Sequence, residues 1–250
     1  MFAVIFAMFL ESIERGSHNV AIENMTRFHT GYIQVQDYRF EDQPSLDNAF
    51  LYDADQRDLI LSASESIEFL VPRIETFMLA AGDEATRGAM VLGIDPEKED
   101  SLNNLKSHLL DGDFSAAGQT TVMAAGLADR LELSMGDSLV LLGQGRFGMT
   151  AAGKYLVSGI VDLPMRAMNN QMVYLSLENA QQLFSADDRI TNLLITPGSV
   201  SRTQETARAI EDAVSGSELQ VLTWQELLPD LVEALSFDRA STRFLMGILY

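Results

Sequence analysis

The two ends of the chain restrict its fold more than any other feature. Residues 1–10 are apolar without a break, and so are residues 244–250. A segment that is apolar on every face, not on one stripe, has to be buried in a core or in a bilayer. Each run is far below the roughly 18–20 residues needed to cross a bilayer. No basic segment precedes the first run and no small-x-small cleavage site follows it, so it does not read as a signal peptide. Two readings stand: core helices at both termini, or stumps of transmembrane helices. Polarity rises inward from both ends, which favours the second. The chain is then the loop between two spans and lies outside the bilayer.

Between the ends a strand–helix–strand unit occurs twice. Residues 32–36 alternate as a strand, and residues 53–69 carry Leu59, Ile60, Ala63 and Ile67 at helical spacing behind the capping candidates Asp53 and Asp55. Residues 71–80 and 85–94 form a hairpin turning at Ala81, Gly82, Asp83 and Glu84. Residues 192–196, 201–214 and 219–223 repeat the strand–helix–strand order. Two such units, one near each end, assemble a ferredoxin-like sheet from split βαβ halves. The intervening stretch begins with a helix start at Asp95 and Pro96, continued to residue 110 and broken by Gly112. It then carries strands at 120–124, 138–142, 155–161 and 172–175, with helices at 125–133 and from the Ser176 cap to Phe184. The expected fold is α+β: a porter-like split βαβ subdomain (30–94 and 190–226) with an inserted, mostly β subdomain (95–189). Residues 1–29 and 227–250 flank it as terminal helices leading into the spans. A helix over residues 2–27 is roughly 39 Å long at about 1.5 Å per residue, and Gly31 suits the left-handed position that ends it.

Composition removes much of the usual chemistry. A net charge of -19, with 36 acidic residues against 17 scattered basic ones, speaks against a nucleic-acid partner. The absence of cysteine removes disulfides, thiolate metal sites and Cys nucleophiles together. His18, His29 and His108 have no HxxxH or HExxH pairing, so no metal is expected. The run Glu97, Lys98, Glu99, Asp100 reads as a solvated helix start. Trp224, the single tryptophan, reads as an anchor where the last strand enters the last helix.

One loop imitates nucleotide chemistry. Gly143, Gly145 and Gly148 spell GxGxxG, and Gly148, Gly153 and Lys154 almost spell a P-loop. Both need a helix directly after the glycines, whose free N–H groups hold phosphate. Residues 155–161 read as a strand instead, and Tyr155 replaces the magnesium-binding hydroxyl. A glycine-rich hairpin tip is the plainer reading; a soluble nucleotide-binding enzyme built on residues 143–154 is the rival, and a stand-alone interaction module is another. Candidate contacts for a partner or cargo are Arg146, Phe147, Met149, Met165, Arg166 and Met168, because flexible thioethers beside cations suit varied apolar partners.

Several short blocks carry a resemblance. They are Thr30-Gly31-Tyr32-Ile33-Gln34-Val35, then Val91-Leu92-Gly93-Ile94-Asp95-Pro96, and residues 110–114. Residues 124–137, with Gly126, Leu127, Ala128, Gly136 and Asp137, form the most specific block. Tyr155 to Ile160, Gln181 to Phe184, and Thr223-Trp224 follow in order. Together they resemble the large extracytoplasmic domain of ABC-transporter permeases of the macrolide-exporter and lipoprotein-releasing type, and more distantly the FtsX-like division permeases. The resemblance implies a non-catalytic periplasmic domain, no cofactor, and an inner-membrane location. It also implies a cytoplasmic ABC ATPase, a second permease subunit, a bilayer at both termini and an amphiphilic cargo such as a lipoprotein, lipid or peptide. In lipoprotein-releasing members a hairpin loop of the inserted subdomain engages a periplasmic carrier or adaptor. The loop here, at residues 143–154, is shorter and lacks the same residues.

Overall fold

The computed structural model describes residues 20, 22–114, 116 and 118–234. The apolar runs at residues 1–10 and 244–250, with the stumps expected there, and His18 lie outside the described residues. Among the described residues no helix is long and apolar enough to cross a membrane.

Four strands make one half of the main sheet: β1 (Ile33–Asp37), β3 (Ile67–Ala81), β11 (Asn192–Pro197) and β12 (Leu219–Thr223), in the order β12-β1-β11-β3 with antiparallel neighbours. Helix α1 (Ala54–Ala63) connects β1 to β3 with β11 between them, and α6 (Thr203–Ala213) connects β11 to β12 with β1 between them. Two interlocked split βαβ units are the outcome, as the repeat in sequence predicts. Alternation decides the faces. Ile33, Val35, Leu193 and Ile195 turn toward Ile60, Ala207, Ile210 and Val214 of the helices, and all are buried. The Asp53 carboxylate caps α1 by accepting from the Gln56 N–H at 2.9 Å.

Strand β3 is fifteen residues long and belongs to both halves. Its first part pairs β11, and from Arg73 onward its other edge pairs β4 (Thr86–Ile94). From β4 the ladder passes to β9 (Met172–Ser176), β6 (Thr120–Ala124), β8 (Thr150–Val161) and β7 (Ser138–Gln144). β7 then returns to β3 through Leu79 opposite Leu142, Ala80 opposite Leu141 and Ala81 opposite Val140. The second half is therefore a closed six-stranded barrel whose first strand is the last strand of the split sheet. Its interior is filled by Met78, Val91, Met123, Leu141, Tyr155 and Val173, as small barrels require. Helices α3 (Ala125–Leu131) and α5 (Leu177–Phe184) pack onto the same core. The opposite face of β4, β9 and β6 buries Leu92, Tyr174 and Val122 in a separate cluster with Phe28 and Leu105. Two short elements, β2 (Phe50–Leu51) and β10 (Arg189–Ile190), pair outside the main sheet, and β5 (Leu109–Gly112) extends the barrel at β8.

Three boundaries differ from the periodicity. The helix predicted over 53–69 stops at Ala63, because Ser64 turns extended and residues from Ile67 onward are taken into the β11 ladder. The helix predicted to residue 110 ends at Asn103: Asn104 adopts a left-handed conformation (φ 54°), and Leu109 and Leu110 belong to β5. The strand predicted at 155–161 starts at Thr150. Gly153 sits inside it with the Tyr155 ring lying where a Cβ would go.

Candidate functional site

The chain enters the fold through a π-helical turn, Thr26–Thr30, stopped by Gly31 at φ 70°, whose N–H closes onto the Thr26 carbonyl at 2.8 Å. A Cβ at Gly31 would meet the Leu194 Cβ at 3.0 Å, so both the backbone angle and the close approach require glycine. It leaves through Thr223 into α7 (Trp224–Leu227), where Glu226 and Thr223 form a capping box. The Trp224 N–H donates to the Tyr32 carbonyl at 3.0 Å. Entry and exit therefore lie side by side at one end of β1, joined through the Trp224 backbone N–H.

Arg73 of β3 holds the entering turn. Its Nη1 donates to the His29 carbonyl at 2.8 Å and the Phe28 carbonyl at 3.4 Å. Its Nε and Nη2 form a fork on the Glu99 carboxylate at 3.0 and 2.5 Å, and Glu99 also accepts from Asn103 Nδ2 at 2.6 Å. Arg73 and Glu99 are each 1% exposed. The reading of Glu99 as part of a solvated helix start is thus corrected: on α2 (Pro96–Asn103) it faces inward and shares a fully buried ion pair. Burial opposes the charge on Arg73, and the Glu99 carboxylate overcomes that opposition and raises its pKa. Burial, and secondarily the charge of Arg73, lowers the pKa of His29. A bidentate pair with two backbone carbonyls on the remaining donors has the geometry that lets a guanidinium survive burial. Mechanically, one side chain joins the entering helix, the shared strand and the first helix of the barrel half.

The candidate contact residues fall into two separate groups. Arg146, Phe147 and Met149 form the tip between β7 and β8. Phe147 is 75% exposed and Met149 56% exposed. The Arg146 guanidinium lies over the Phe147 ring at 4.4 Å. The tip is fixed: the Phe147 N–H donates to Asp47 Oδ1 at 2.6 Å, and Gly145 sits against Phe184, whose carbonyl oxygen a Cβ would meet at 2.8 Å. Met165, Arg166 and Met168 lie beyond the other end of β8, roughly 35–40 Å away along its strand length. There Arg166 is exposed, Met165 is half-buried against the Phe28 cluster, and Met168 is buried within it in α4 (Arg166–Asn169). The two groups do not form one site.

The nucleotide-like glycines all lie in the β7–β8 hairpin. A three-residue 3-10 turn, Arg146–Gly148, lies within the motif, strand β8 and not an α-helix follows it, and the Gly153–Lys154 pair is inside β8. Among the described residues no group of three acidic or histidine side chains is placed to hold a metal.

The chain shares its fold with solved domains of transporter proteins. The extracellular domain of the noncanonic ABC-type transporter YknZ from Gram-positive bacteria superposes with a TM-score of 0.51 at 15% identity, over 76% of this chain and 99% of that one. The periplasmic region of MacB from Actinobacillus actinomycetemcomitans superposes with a TM-score of 0.56 at 12% identity, over 84% and 96%. No family model and no curated protein matches the sequence. Sequence alone would not have singled out Arg73. Its only signal is that it is the single cation in β3, whose other polar residues are Glu68, Glu75 and Thr76.

Proposed function

We propose that the chain is the non-catalytic, periplasm-facing domain of an ABC permease in a bacterial inner membrane. It transmits ATP-driven motion of membrane helices to the release or extrusion of an amphiphilic cargo such as a lipoprotein, lipid or peptide. One observation carries this reading: the entering turn and the departing α7 lie side by side, as a domain between two adjacent spans requires. The shared fold with two permease domains supports it. In this proposal residues 30–94 with 190–226 form the porter-like subdomain and 95–189 the inserted one; two distinct cores support two subdomains, and β4 with the second part of β3, inside 30–94, are staves of the barrel that join them. A cytoplasmic ABC ATPase and a second permease subunit complete the machine. The Arg73–Glu99 junction passes the movement of the entering helix into β3 and α2, so the domain moves nearly as a rigid body.

The test is expression of the full-length gene. Membrane fractionation with a co-purifying ATPase is the expected outcome, and a soluble monomer with intact termini would overturn the reading. The exposed tip is the proposed contact for cargo or a periplasmic adaptor. Phe147→Ser with Met149→Ser should change stability by no more than about 0.5 kcal/mol and lower export several-fold in cells. Unchanged export would remove the tip from the mechanism.

A further inference from the structure

The outer face of the barrel where β3, β7 and β8 adjoin is apolar and open to solvent. Alternation along each strand sends Met78, Leu141 and Tyr155 inward and Leu79, Leu142 and Leu156 outward. Phe77, Leu79, Val140, Leu142 and Leu156 are all between 40% and 59% exposed. The register sets the face in rows. Thr86, Ala81, Val140 and Lys154 stand side by side on β4, β3, β7 and β8, and Gly88, Leu79, Leu142 and Ala152 form the next row. The Phe77 ring leans over Gly88, where a Cβ would meet its Cε1 at 2.6 Å, so no side chain interrupts the face there.

Charge indicates what covers this face. The chain has 36 acidic residues among 250, yet none stands in either row or at Phe77, Gln144, Thr150 and Leu156 around them. The face therefore does not repel a second copy of a chain whose net charge is -19. Its single cation, Lys154, has no ion-pair partner among the described residues. Lys154 closes its row on the β8 side. On the β4 side the same row ends at Thr86, beside the exposed Asp83 and Glu84 of the β3–β4 turn. A two-fold axis running between β3 and β7 exchanges these two sides. It lays Leu79 on the partner's Leu142 and brings Lys154 to the partner's Glu84, each contact made twice. An apolar centre with paired charges at its rim is the ordinary anatomy of a protein interface. One cation is too few to hold the face on an anionic lipid surface, which takes clusters of about four to eight.

We infer that this face docks a second copy of the chain, sheet on sheet, with Leu79 against the partner's Leu142 and Lys154 beside the partner's Glu84. Four strands about 4.8 Å apart and about five residues deep at roughly 3.3 Å span roughly 300 Å² in projection. An interface of this size falls in the weak class, below about 1,200 Å² in total. A weak contact suffices where two copies share one membrane assembly, as the transport reading has them, since tethering supplies a local concentration of about millimolar. The docking face itself does not rest on the transport reading, and its failure would leave that reading standing.

The experiment is sedimentation equilibrium of the 250-residue chain from micromolar to millimolar concentration. A reversible monomer–dimer equilibrium is expected. Leu142→Asp should weaken it at least tenfold. Lys154→Glu and Glu84→Lys should each weaken it several-fold, and the two changes in one chain should restore it, because the pairs form again with reversed sign. A chain that stays monomeric at millimolar concentration would overturn the inference. So would a dimer that Leu142→Asp leaves intact, which would place the contact at the apolar ends, or a double charge exchange no better than its single changes. Flotation of a monomer on phosphatidylglycerol vesicles, abolished by Leu142→Asp, would assign the face to lipid and overturn it equally. The charge exchange touches only exposed side chains, so it decides the matter even if Leu142→Asp fails to fold.

Discussion

Arg73 and Glu99 are valuable to each other chiefly because neither has water as an alternative. Removing one partner leaves the other charged and buried, which costs about 3–5 kcal/mol. Arg73→Met should therefore lower the denaturant midpoint severely, while Arg73→Met combined with Glu99→Leu recovers much of the loss; urea unfolding of the three chains checks this. Glu75 gives a pH signature. Burial raises its pKa above the ordinary 4.5, with Arg73 opposing. The folded chain then holds the proton more tightly than the unfolded one. Its contribution to stability is greatest below the ordinary carboxylate range and declines as pH rises through the raised value. Glu75→Gln should flatten that decline in urea midpoints measured from pH 4 to 8, and an unchanged slope would assign it elsewhere. Neither residue was legible as special in the sequence. Glu99 sits among charged neighbours on a helix start, and only the approach of β3, 26 residues earlier, turns it inward.

At the scale of elements, local signals served well where local chemistry acts alone. Asp53, Asp95 and Ser176 cap the helices that sequence assigned to them, and Gly82 closes the β3–β4 turn by donating to the Ala85 carbonyl. They failed where a distant strand competes for the same residues, as at Ile67 and Leu109. The packing of α5 over β4 yields a sharper expectation. A Cβ at Gly93 would collide with the Ala180 Cβ and lie 2.6 Å from Ile74 Cγ2. Gly93→Ala should thus cost about 1–3 kcal/mol as overpacking, visible as a lowered melting temperature. Gly136, with open space around it but φ 86°, should lose less on the same change.

For the whole molecule, β3 is the decisive element, since it is an edge of the split sheet and a stave of the barrel at once. Unfolding either half exposes the other half's strand, so calorimetry should show a single transition with equal calorimetric and van't Hoff enthalpies. Two resolved transitions would show that the halves are energetically separate despite the shared strand. Sequence by itself determined the α+β class, the doubled strand–helix–strand order and the glycine hairpin, because alternation, helical period and capping are written within a few residues of one another. Tertiary structure alone decided the closure of the barrel by Leu79 and Leu142, the burial of Glu99 and the apolar outer face that β3, β7 and β8 make together. Each of these depends on pairing between segments far apart in the chain, and such pairing leaves no local period to read.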